Sequence, residues 1–322
     1  MIGYDVMPDR LGPYELRAPL GGGGMGVVYR AYHTTLKREV ALKVLRARAR
    51  PGDDAFVRFQ REMRVASRLA HPALVRILDG GLIGDVPFIA MELVEGADLG
   101  TVLRRGAALP WPLTLAIIAR VTQGLAELHA HQVLHRDVKP ANVLLAAGDV
   151  KLADFGLARR FDATALTAAG DVVGSLIVLA PELLTGAPAS VQSDLWSLGC
   201  TLYHALTGRV HVECEDARAL PARLLNAPIE PPGMRVAGLP APVSLLTMEL
   251  LDRTCARRPP SAAAVGARLE ELLNAYFFRA EAVVKPPRLV DGHQLMTTFR
   301  LPPGPLIGEL LGAIEEAQAE GR

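Results

Sequence analysis

His135-Arg136-Asp137-Val138-Lys139-Pro140-Ala141-Asn142, followed shortly by Asp154-Phe155-Gly156, decides how this chain is read. A carboxylate, Asp137, stands two residues before an ammonium, Lys139. The first can orient and deprotonate a hydroxyl, and the second can neutralise charge on a transferring phosphate. Asn142 and Asp154 add hard oxygen donors of the kind magnesium prefers. In order, these are the groups needed to move a phosphoryl group onto a hydroxyl. A lone H-R-D triplet would carry little weight. With Lys, Asn and D-F-G at these offsets, chance is a poor explanation.

The N-terminal third tests that reading independently. In Leu20-Gly21-Gly22-Gly23-Gly24-Met25-Gly26-Val27-Val28-Tyr29, the residues Gly21, Gly23 and Gly26 take G-x-G-x-x-G spacing. Without Cβ atoms, backbone N–H groups can close over phosphates. Dinucleotide-binding folds share the pattern, but there it opens a helix. Here Val27-Val28-Tyr29 reads as a strand, and a polar turn leads to a second apolar strand, Val40-Ala41-Leu42-Lys43-Val44-Leu45. Phe56, Phe59, Met63, Ala66 and Leu69 then recur at helical spacing after a cap at Asp53 or Asp54. Glu62 falls beside Phe59 and Ala66 on the inward face, where a carboxylate is costly unless paired. An exposed acid among Arg58, Arg61 and Arg64 is the other reading.

These motifs, in this order, resemble the protein kinase superfamily over residues 14–275. The resemblance implies an α+β, bilobal protein-kinase fold. A small β-sheet N-lobe with helix C would span 14–91, the hinge 92–95, and a larger, mainly helical C-lobe 96–275. Residues 276–322 would form a linker and a short helical tail. The resemblance also assigns roles. Gly21, Gly22, Gly23, Gly24, Met25 and Gly26 would cover the phosphates of ATP, with Val28 against the adenine and Ala41 and Leu144 in the same nucleotide site. Lys43 would reach the α- and β-phosphates, steadied by Glu62. Met91 would be the gatekeeper, and the backbone of Glu92-Leu93-Val94 would meet the adenine. Asp98 would sit against the ribose, or else in a surface loop. Asp137, Lys139, Lys43 and Glu62 would serve catalysis. Asn142 and Asp154 would hold Mg2+, or Mn2+ in its place.

Other family positions imply support. Asp194 of Asp194-Leu195-Trp196-Ser197-Leu198-Gly199 would brace the catalytic loop by accepting backbone N–H groups, and Arg258 would meet Glu182 in a buried ion pair. Lys139 within the loop is similar to serine/threonine kinases, and the segment ending in Ala180-Pro181-Glu182 to protein rather than small-molecule kinases. L-G-G-G-G-M-G-V-V-Y-R-A and H-R-D-V-K-P-A-N-V-L-L resemble bacterial Hanks-type enzymes. Departures cluster late. Leu176 and Val178 stand where the family carries Pro and Tyr, in the segment that receives the residue after the phosphoacceptor, and Thr254-Cys255 replaces D-P. The expected activity is transfer of the ATP γ-phosphoryl group to Ser/Thr hydroxyls of proteins, the chain itself included. The altered segment keeps an ATP-binding, pseudokinase-like module as the alternative, with a small-molecule kinase behind it. Arg136 would pair with an activation-loop phosphate; Thr167 is the expected autophosphorylation site, and Asp171 a constitutive charge.

Half of the 322 residues are hydrophobic and the net charge is +1, which fits a packed protein and disfavours a general nucleic-acid or membrane-surface binder. No apolar stretch approaches bilayer-spanning length, so a cytoplasmic location is expected. Cys200, Cys214 and Cys255 lack metal-ligand spacing, and Cys200 reads as a core residue. Protein substrates are unspecified, and self-association is open. Beyond Pro286-Pro287, the run from Leu289 to Leu311 resembles a short C-terminal motif of bacterial tRNA nucleotidyltransferases, the one hint of RNA. Its stripe of Ile307, Leu310, Leu311, Ile314 and Ala317 reads either as helix-on-helix docking or as a partner- or RNA-contacting module.

Overall fold

The structure, a computed structural model of the chain, describes residues 9–23, 26–46, 49–50, 52–106, 108–146, 148–155, 176–214, 216 and 218–279. Expectations for Gly24, Met25, Gly156, Thr167, Asp171 and the tail from 280 onward fall outside these residues. The described residues form two compact units, 9–94 and 95–279.

The first unit is built on a six-stranded antiparallel sheet of β1 (Arg10–Leu11), β2 (Tyr14–Gly23), β3 (Gly26–His33), β4 (Arg38–Leu45), β5 (Ile77–Ile83) and β6 (Val86–Met91), ordered β1-β2-β3-β4-β6-β5. Alternation along β4 sorts its residues. Val40, Leu42 and Val44 enter a core with Tyr14, Ala31 and Phe88, which leaves Ala41 and Lys43 to the opposite face. Gly21–Gly23 continue β2 as extended strand. Gly26 opens β3, where a Cβ would lie 2.3 Å from the Val44 carbonyl oxygen, so only glycine allows this approach. The helix α1 (Asp54–Ala66) buries Phe56, Phe59, Met63 and Ala66, as their spacing predicts. It stops before Leu69. Asp53 stands at its N-cap, where its carbonyl accepts the Val57 N–H at 2.9 Å, but its side chain does not cap; the carboxylate accepts the Arg50 N–H at 2.7 Å.

The second unit is mainly helical. A three-stranded sheet of β7 (Gly96–Asp98), β8 (Val143–Ala146) and β9 (Asp149–Leu152) accompanies α2 (Leu99–Arg105), α3 (Trp111–Ala130) and α4 (Pro181–Leu184). Next come α5 (Val191–Thr207), α6 (Leu220–Asn226), α7 (Ala241–Leu250) and α8 (Ala262–Arg279). Helix α5 is the central support, with every residue from Ser193 to Tyr203 buried. Ser190 and Ser193 form a reciprocal capping box at its start, and Gly208 ends it at φ 68°. Helix α8 runs on through residue 275, where the sequence reading placed the domain's end. Tyr276 packs edge-on against Trp111 at 4.5 Å between ring centroids, which holds this last turn on α3.

Candidate active site

The second unit assembles the H-R-D loop by passing the chain from α3 to β8. The Asp137 carboxylate accepts from the Lys139 ammonium at 2.8 Å, and its Oδ2 also accepts the Asn142 amide at 3.2 Å. Asn142 Nδ2 further donates to the Asp137 carbonyl at 2.7 Å. That fixes the amide orientation and leaves Asn142 Oδ1, an acceptor, for another group. The Ala153 N–H meets the Asn142 carbonyl at 2.8 Å and so sets Asp154 beside the loop. Asp154 sits at φ 60° and Arg136 at φ 64°, both left-handed positions that side chains rarely adopt. Such strain persists where surroundings over-determine it. An amide oxygen and a carboxylate are the hard donors a divalent cation takes, so these residues fit that cofactor.

Asp194, fully buried at the start of α5, supplies much of the constraint. Its Oδ1 accepts the Arg136 N–H at 2.7 Å; its Oδ2 accepts the His135 N–H at 2.9 Å and His129 Nε2 at 2.8 Å. This is the bracing role expected from sequence. His135 is pinned next. Burial pushes its pKa down, partly opposed by Asp194 and Asp137, which keeps the ring neutral. Nε2–H donates to the Ala153 carbonyl at 2.9 Å, and Nδ1 accepts the Asp137 N–H at 3.2 Å. Only the Nε2-protonated tautomer satisfies both bonds.

In the same unit, Asp98 takes a role not weighed from sequence: it caps α2. Its Oδ1 accepts the Thr101 N–H at 2.7 Å and its Oδ2 the Thr101 hydroxyl at 2.5 Å. The D-x-x-T spacing was the available signal. Asp98 pairs in register with Leu144, so those two candidate nucleotide residues are cross-strand neighbours.

The first unit carries four further candidates, Val28, Ala41, Lys43 and Met91, on one sheet face. Val28 pairs with Lys43, Lys43 with Ile89, and Ala41 with Met91. Directly paired residues of antiparallel strands share a face, so these five form one patch. Ile89 was missed from sequence, although it alternates with Met91 along β6. Gly80 pairs with Ile89, and the Met63 methyl lies over Gly80, which places α1 on the Lys43 face. Glu62 precedes Met63 and is half-buried there, while Lys43 is buried. The exposed-acid reading of Glu62 is thereby set aside. At the segment read as hinge, the Glu92 N–H donates to the Arg76 carbonyl at 2.9 Å.

The segment around the A-P-E motif is well anchored. Arg258 forms a bidentate pair with Glu182 at 2.7 and 2.8 Å, as expected. Its other donors meet the carbonyls of Gln192 and Asp252, and its guanidinium lies 5.1 Å from the Trp196 ring. Val178 is buried with Trp196, Cys200, Tyr203 and Leu251, and its carbonyl accepts the Ser197 hydroxyl at 2.8 Å.

The protein kinase domain family matches residues 14–262. The chain belongs to this family. Serine/threonine-protein kinase PknL of Mycobacterium tuberculosis is 36% identical over 289 residues, covering 89% of this chain and 72% of that protein. PknK of the same organism is 40% identical over 257 residues, 79% of this chain but 23% of that much longer protein. The crystal structure of the Mycobacterium tuberculosis PknI kinase domain superposes with a TM-score of 0.62 at 31% identity, covering 81% of this chain and 97% of that one. The chain is an ATP-dependent serine/threonine protein kinase of the bacterial Hanks type. Among the described residues no helix is long and apolar enough to cross a membrane.

Proposed function

We propose that Asp137 orients and deprotonates the Ser/Thr hydroxyl of a protein substrate while Lys139 offsets charge on the transferring phosphoryl group. The observation that carries this is the Lys139–Asp137–Asn142 cluster, which fixes the attacking group's base before substrate arrives. Asn142 and Asp154 would hold a divalent cation, Mg2+ by its preference for oxygen donors. When bound, that ion neutralises charge on the phosphates. Lys43, on the face of β4 opposite the sheet core, would hold the α- and β-phosphates. Val28, Ala41 and Met91 would line the adenine site. Trans-autophosphorylation is included, since a second copy presents hydroxyls of the same class.

The test separates binding from chemistry. Asp137→Asn should lower phosphotransfer to a generic acceptor protein about a thousandfold or more while nucleotide affinity stays within a few-fold. Lys43→Met should lower both. Near-normal turnover in purified, folded Asp137→Asn would overturn the assignment. Nucleotide binding without turnover in the unaltered chain would favour a pseudokinase-like module.

A further inference from the structure

A cleft of about 500 Å³ opens in the second unit, between the stretch after α5 and the stretch after α6. Its apolar lining comes from Val210, Val212, Pro228 and Ile229. Its charged lining comes from Glu213, Glu230, Arg223 and Arg235. The acids are already matched: Arg235 lies 2.8 Å from Glu230 and 3.8 Å from Glu213, which Arg209 also approaches at 3.6 Å. Arg223 is exposed and has no ion-pair partner among the described residues. Among the described residues, an aliphatic slot with one cation outside any ion pair at its rim therefore remains. The main chain that shapes it is held firmly, because Arg253 ties the Leu224 and Ala227 carbonyls at 2.9 and 2.5 Å.

The slot is continuous with the segment that departs from the family pattern. Val212, Ala227 and Ile229 line the cleft and also pack with Leu220 and Leu224 beneath Leu176 and Ile177. Ile177 and Ile229 pack in turn on the Val178 cluster. One apolar layer thus joins the cleft to the place where the residue after the phosphoacceptor is expected. Aliphatic side chains at 176 and 178, in place of Pro and Tyr, extend that layer.

We propose that this cleft is a second docking site for protein substrates. It takes an aliphatic side chain from a segment away from the phosphorylated residue, with a neighbouring carboxylate meeting Arg223. The proposal deepens the kinase assignment and rests on it. The mixed lining suits a peptide, because a small polar ligand would call for several convergent polar groups, whereas among the described charged lining residues Arg223 alone lacks an ion pair and His211 is turned to Cys200 at 3.8 Å. Docking energy gained here is independent of the reacting hydroxyl, so it would appear in KM for whole proteins and leave turnover of short peptides alone.

The experiment uses the full chain and a fluorescent peptide of alternating Glu and Leu, which has no hydroxyl to phosphorylate. Its anisotropy should show saturable binding, and a Lys-for-Glu version should bind about tenfold more weakly. Arg223→Glu should invert that order. Val210→Glu should abolish binding of the acidic peptide. The KM for dephosphorylated casein, an acidic protein, should rise about fivefold in Arg223→Glu, while kcat and KM for a short acceptor peptide hold. The proposal is overturned if the two peptides bind alike, if Arg223→Glu leaves acidic-peptide binding unchanged, or if the short peptide's KM rises in parallel with casein's. Because anisotropy needs no phosphotransfer, cleft binding by a chain that labels no acceptor would fault the kinase assignment instead.

Discussion

The catalytic loop and the segment from Leu176 to Ala180 are both anchored to α5, by opposite means. The loop hangs on directional bonds: Asp194 takes two consecutive N–H groups and an imidazole, and Asn142 and Lys139 converge on Asp137. The segment is packed: Val178 and Ala180 sit among Trp196, Cys200 and Tyr203, with one hydroxyl bond to the Val178 carbonyl. Polar networks tolerate almost no substitution, because each lost partner strands a buried group. Packed clusters accept changes of side chain if volume is roughly kept. The contrast fits the sequence reading, in which H-R-D-x-K-x-x-N keeps the kinase pattern and Leu176 and Val178 do not. The groups proposed for the chemistry lie in the bonded region, and the residues that depart from the sequence pattern lie in the packed one.

Three changes would break or sharpen that contrast. The largest effect belongs to Asp194→Ala, which strands three donors, one of them buried and two part-buried. Unfolding free energy should fall by about 5 kcal/mol, at roughly 1–3 kcal/mol per stranded group, read by urea denaturation. A loss under about 1 kcal/mol would mean that water or neighbours replace the carboxylate readily. Next is Glu182→Gln, which leaves the fully buried Arg258 side chain without its counter-charge. About 3–4 kcal/mol should be lost.

The same pair has a pH signature. Burial pushes the Glu182 pKa up, but the Arg258 hydrogen bonds and charge outweigh it and hold the carboxyl below its ordinary value. The folded state therefore releases this proton more readily than the unfolded one. The stability is fully present above the ordinary carboxylate range and is lost as pH falls through the lowered folded value. In Glu182→Gln that part of the acid transition should vanish. The smallest effect is Val178→Ala, a loss of about 2 kcal/mol for two buried methyl groups and the space they leave. Its phosphotransfer to a short peptide should change mainly in KM. An equal fall in kcat would show that the packed segment also positions the bonded loop.

Much of this was legible in the sequence where a residue's need for a partner is itself distinctive. Asp194 at the head of an apolar helix and Arg258 far from Glu182 both read correctly because buried charge has few solutions. The helix of Phe56, Phe59 and Met63 read correctly because its period is long enough to count. What was missed was short or local. Strands of three or four residues, such as β7 and β8, show no period. Gly21–Gly23 carry no strand propensity, and pairing with β3 alone extends them. Asp98 was weighed against a ribose or a surface loop, and its cap on Thr101 was not considered. The last turn of α8 depends on Trp111, distant in sequence, so the boundary at residue 275 fell inside a helix.

Asp194 has one further consequence. It belongs at once to the most deeply buried helix of the second unit and to the loop that does the chemistry. The backbone N–H groups of His135 and Arg136 can be released only by disturbing the first turn of α5, whose residues are interior to that unit. The loop is thus not a local unit of opening but part of the cooperative core, and its geometry is kept or lost with the second unit as a whole.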